Sequence, residues 1–91
     1  MKYVGDILYL CFEDIGVGTS VTNASEIIAT DIVSKHNLNP TKCKFFETYP
    51  YSDEFDEIIY KWDNNVAMSA KWKPCNPEDL LVLNEIKTQD F

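Results

Sequence analysis

This 91-residue sequence predicts an α+β fold. The expected form is a two-layer sandwich, a four-stranded mixed sheet with two helices on one face, in the order βαβββα. Three observations lead there. Residues 7–12, ILYLCF, are a continuous apolar run of strand formers between Gly5-Asp6 and Glu13-Asp14. Residues 24–36 carry an apolar stripe at helical spacing. Residues 55–73 alternate at period two around Asp63-Asn64-Asn65. A strand–helix–strand order implies a right-handed parallel crossover, and strands joined by short connections run antiparallel.

The first run is apolar on both parities, which suits a central strand covered on both faces. Asn23 with Glu26 three residues later has capping-box spacing, with Asn in the Ser/Thr role. Ala24, Ile28, Ala29, Ile32, Val33 and His36 then fall on one side of a helix of about 13 residues. Pro40 disfavours helix at Asn39 and ends it. Residues 43–49 read as the second strand, stopped by Pro50. Residues 55–62 form the third, with Ile58, Tyr60 and Trp62 on one face. Asn tolerates positive φ, so Asp63-Asn64-Asn65 makes a tight turn into a fourth strand over 66–73. This register puts Trp62 near Val66 and Trp72 near Asp56. Asn76-Pro77-Glu78-Asp79 opens the last helix, with Asn as N-cap, Pro at N1 and two acids complementing the dipole. Leu80, Leu83 and Ile86 dock it. With both helices on one face, the other sheet face stays uncovered, and a homodimer that buries it is one expectation.

The chain is sized for a single domain over residues 1–91, and 45% apolar residues mark it as globular rather than disordered. Net charge is −7, from 15 acids against eight lysines and no arginine. The charge is uneven: Lys35, Lys42 and Lys44 make one basic stretch, flanked by acidic ones. Cys11, Cys43 and Cys75 are three in number without CxxC spacing, no apolar run approaches a membrane span, and the start has no signal-peptide core. The expectation is a cytoplasmic protein with reduced thiols and no membrane association.

Candidate chemistry concentrates in YPYSDEFDEIIYKW, residues 49–62, where aromatics and carboxylates interleave. Glu47, Asp53, Glu54, Asp56 and Glu57, with Tyr49, Tyr51 and Phe55, would form an acidic, aromatic surface for a basic protein partner. The same surface repels nucleic acid, so no direct nucleic-acid contact is expected. Paired carboxylates for acid–base work must converge on one pocket, and neighbours on a strand point to opposite faces. An alternative site is the Gly16–Asn23 turn, where Gly16, Gly18, Thr19, Ser20 and Asn23 could hold a small ligand. That turn lacks the P-loop lysine and follows Glu13-Asp14, and hydroxyls there also serve as helix caps. His36 is the only histidine, so neither a metal nor a cofactor is expected, and no enzymatic residue stands out.

Three segments, V-G-T-S-V-T-N-A-S-E (17–26), F-E-T-Y-P (46–50) and W-K-P with E-D-L (72–80), resemble those of a group of short bacterial and mobile-element proteins with no known activity. The resemblance implies a whole single-domain protein and carries over no site residues. The functional expectation is a non-enzymatic, acidic interaction module engaging a basic partner, such as a nucleic-acid-handling protein. An inhibitor or immunity-type protein of a phage or mobile element would be one example. The alternatives are the ligand-binding or enzymatic turn and a homodimer with no other partner.

Overall fold

Strand β2 (Ile7–Cys11) is the element on which the rest is assembled. The structure is a computed structural model that describes residues 2–16, 23–50, 58–63 and 71–88. β1 (Lys2–Val4) folds back on β2 through Gly5-Asp6, with Lys2 opposite Tyr9 and Val4 opposite Ile7. Gly5 takes φ +62°, a conformation that glycine adopts without steric cost. Helix α1 (Asn23–Lys35) then crosses to β3 (Cys43–Phe46), which runs parallel to β2 with Leu10 opposite Phe45. β4 (Tyr60–Asp63) and β5 (Lys71–Pro74) extend the sheet antiparallel. Helix α2 (Pro77–Thr88) closes the described chain. The sheet order is β1-β2-β3-β4-β5.

The class is α+β with a mixed sheet and two helices, as expected, but the sheet has five strands rather than four. The extra strand is β1, only three residues long, too short to give a periodic signal before its turn.

The helices also do not share a face. Leu8, Leu10, Phe12, Cys43, Phe45 and Trp62 form one buried cluster with Ala29, against which Ile28, Ile32 and Val33 of α1 pack. Tyr9, Cys11, Phe46 and Tyr49 form the other, with Leu83 and Ile86 of α2. The reason lies in the strands themselves: β2 is apolar on both parities, and Phe45-Phe46 repeats this on β3, so each face needs its own cover. The uncovered face on which a homodimer was expected is therefore occupied by α2.

The β4–β5 hairpin is present with a different register. Trp62 pairs with Trp72 and Asp63 with Lys71, not Trp62 with Val66 as expected, and the expected turn at Asn64-Asn65 lies outside the described residues. Pairing the tryptophans puts both on the α1 side of the sheet, where Phe12 and Phe45 receive them edge-on at 5.8 and 5.1 Å. Packing of two indoles, Trp62 buried and Trp72 partly buried, favours this register.

Candidate functional site

The acidic segment divides at the boundary of the described residues. Tyr51, Asp53, Glu54, Phe55, Asp56 and Glu57 lie outside them. Glu47 and Tyr49 lie inside, and both are only 6% exposed, so neither is the surface residue the sequence suggested. Tyr49 is buried in the cluster under α2, and two carboxylates from the 3-10 turn after β2 (Phe12–Ile15) satisfy its polar groups. Its hydroxyl donates to Asp14 Oδ2 at 2.6 Å, and its backbone N–H donates to Glu13 Oε2 at 3.2 Å. Thr48 Oγ1 donates to the same Glu13 oxygen at 2.9 Å. Burial, and then Asp14, push the Tyr49 phenol well above its ordinary range. Glu47 follows β3 directly, and its Oε1 is buried with no hydrogen-bond partner. Burial pushes its carboxyl up.

Of the alternative site, Gly18, Thr19 and Ser20 lie outside the described residues, and Asn23 opens α1. Gly16 sits at φ +76° and ends the 3-10 turn, its N–H donating to the Glu13 carbonyl. Glycine is used there for its backbone. His36 is exposed just past α1, while the Cys43 thiol donates to the Asn39 carbonyl at 3.2 Å, not to an imidazole. Burial raises all three thiols, Cys11 and Cys75 to about 12, which is the opposite of an activated nucleophile. Among the described residues no group of His, Cys, Asp and Glu could hold a metal ion. None of the described helices is long and apolar enough to cross a membrane.

The densest polar constellation lies elsewhere, at the N-terminal end of α2. Asn76 caps this helix, its Oδ1 accepting from Asp79 N at 3.1 Å. That holds Asp79 in the first turn, facing the sheet, where its side chain is 3% exposed. Lys44 and Lys61 occupy the strand positions that face α2, because Phe45 and Trp62 take the other parity. Lys44 Nζ meets Asp79 Oδ1 at 2.7 Å, and Lys61 Nζ meets Asp79 Oδ2. Burial alone would raise the Asp79 carboxyl, but hydrogen bonds and charge from Lys44 and Lys61 outweigh it and hold the group below its ordinary value. Lys44 also lies 5.7 Å from the Tyr9 ring centroid. On the neighbouring strand Lys73 pairs with Asp63 at 3.2 Å. This matters because Lys73 stands directly opposite Lys61, and like charges so placed repel unless each has a counter-ion.

Sequence reasoning missed this cluster. It took Asp79 as a dipole-complementing acid and gave Lys61 no role. The available signal was parity: a lysine on the inward face of a strand, as at Lys44 and Lys61, requires a buried acid. The chain matches no protein-family model, no curated protein and no solved structure.

Proposed function

We propose that this chain is a small acidic interaction module that engages a basic protein partner. The observation that carries this reading is the distribution of its positive charge. Lys35, Lys42, Lys44, Lys61 and Lys73 are all committed to ion pairs with Asp31, Asp6, Asp79 and Asp63. With eight lysines against 15 acids, little positive charge is left to oppose the acidic surface. Exposed carboxylates accompany exposed apolar groups: Glu78 and Glu85 flank Leu81 on the outer side of α2, and Leu81 is 59% exposed. Ile58, also exposed, directly follows the acidic Asp53–Glu57 segment. Acidic surroundings steer a basic partner in, and isolated apolar groups supply short-range contact.

The test is affinity capture from an extract of the producing cells at low and at high salt. Basic proteins retained at low salt and released by salt support the reading. Association rates are then compared for wild type and for the fourfold reversal of Asp53, Glu54, Asp56 and Glu57 to lysine. Equal rates at low salt would remove the acidic segment from the interface.

A further inference from the structure

The geometry points to a binding site for a small uncharged aromatic compound, in the cleft between β1 and the C-terminal end of α1. The cleft has a volume of about 220 Å³. An apolar cavity of about 150 Å³ takes benzene, so this one suits a single ring with a short substituent. Its floor is one row of side chains across three strands. Tyr3 stands opposite Leu8, and Leu8 opposite Cys43. Directly opposed strand residues share a face, and Leu8 and Cys43 belong to the buried cluster under α1, so the whole row lies on that side of the sheet. Leu38 packs against the same cluster and supplies the facing wall.

Local bonds hold these walls in place. Asn37 takes φ +51°, and the Leu38 N–H donates to the Val33 carbonyl at 3.0 Å, which closes α1 in a Schellman turn and sets Leu38 over the sheet. The Asn39 carbonyl accepts from Lys42 N at 3.0 Å and from the Cys43 thiol at 3.2 Å. Lys42 Nζ meets Asp6 Oδ2 at 2.6 Å, joining the turn between β1 and β2 to the turn before β3. A site formed in advance lowers the ordering cost of binding. Tyr3 supplies the aromatic contact: its partner Leu8 is 3% exposed, yet Tyr3 itself is 60% exposed beside the cleft, where a second ring can pack against it. Charge selects the class. Lys42 and Asp6 neutralise each other, and the remaining polar side chains of the cleft, Asn37 and Asn39, are neutral amides. A charged ligand would bring an unbalanced charge onto an apolar floor, a penalty that an uncharged ring does not carry.

Benzyl alcohol, benzylamine and benzoate carry the same ring with a neutral, a cationic and an anionic substituent. Each is titrated into the protein at constant ionic strength and followed in a ¹H–¹⁵N spectrum. Benzyl alcohol should give saturable shifts of the Tyr3, Leu8, Leu38 and Cys43 amide signals, and the two charged analogues should bind more weakly. Tyr3→Ala removes the ring and should weaken benzyl alcohol binding by about threefold to tenfold, the range of one aromatic pair. Tyr3→Phe keeps the ring and should bind as wild type does. Leu81→Ala removes a comparably exposed apolar group, on α2 outside the cleft, and should leave binding unchanged. Tyr3 is a surface residue, and the rest of the same spectrum verifies that its variants fold. The proposal is overturned if benzyl alcohol gives no saturable shift at the cleft, if a charged analogue binds as tightly, or if the folded Tyr3→Ala variant binds as wild type does.

Discussion

The two faces of the sheet are closed by different physics. Under α1, the contacts are apolar and aromatic: Phe12 stacks on Phe45 at 5.8 Å, and Phe45 meets Trp62 edge-on. Under α2, an apolar half built on Tyr9, Phe46, Leu83 and Ile86 adjoins the Lys44–Asp79–Lys61 ion cluster. Both arise from one alternation, since successive strand residues point to opposite faces. The difference lies in how each responds to damage. Apolar packing loses stability in proportion to what is removed, whereas a buried ion cluster is worth something only while complete.

Asp79→Ala is therefore among the largest expected single effects. It leaves two inward-facing ammonium groups without their acid, at a cost of about 3–5 kcal/mol in denaturant unfolding. The penalty should depend on pH. The Asp79 carboxyl is held below its ordinary value, so its stabilisation is present above the unfolded-state pKa of about 4 and is lost as pH falls through the lower folded value. The gap between wild type and variant should thus narrow in acid. Replacing Lys44, Lys61 and Asp79 together by apolar residues of similar volume should recover much of the loss. If the single and triple variants were equally unstable, the loss would not come from the two unpaired ammonium groups.

Phe45→Ala makes the matching cut on the other face. Phe45 is fully buried, and the substitution should cost about 3–5 kcal/mol by transfer and cavity terms. Unlike the Asp79 penalty, this one should be flat between pH 3 and pH 7, and a pH-dependent loss would blur the contrast between the faces. A smaller effect is expected from Asn76→Ala. Loss of the cap that orients the first turn of α2 should cost about 1 kcal/mol, measured by the shift in denaturant midpoint.

Glu47→Gln should act in the opposite direction. The folded protein holds the Glu47 proton more tightly than the unfolded chain does, so ionisation destabilises the wild type as pH rises above the unfolded-state value of about 4.3. The Gln variant avoids this and should be more stable at pH 7 by up to about 1 kcal/mol. That advantage should vanish near pH 3. A destabilised variant at pH 7 would mean that the carboxylate makes a contact on which the fold depends.

Much of the fold was legible. The helix of 13 residues at 23–35 follows from its apolar spacing, and the N-cap at Asn76 from the Asn-Pro-Glu-Asp signal. The double-parity run of β2 already implied cover on both faces, and placing both helices on one face ran against that signal. The hairpin failed in register because a local turn preference at Asn64-Asn65 was weighed without the packing of Trp72. Of the candidate site, Tyr49 reads as surface until Glu13 and Asp14 are known to reach it across 36 and 35 residues, and nothing local signals that Glu47 is buried.

What the sequence determined by itself was local: element type, caps, the parity of each strand residue, and the excess of negative charge. These depend on neighbours a few residues apart, where backbone geometry leaves few choices. Tertiary structure alone decided which acid meets which lysine. Asp79 joins Lys44 and Lys61 from 35 and 18 residues away, and one carboxylate among 15 could not be singled out from composition. It also decided that Trp62 pairs with Trp72, because the packing of both indoles on the cluster under α1 favours that register.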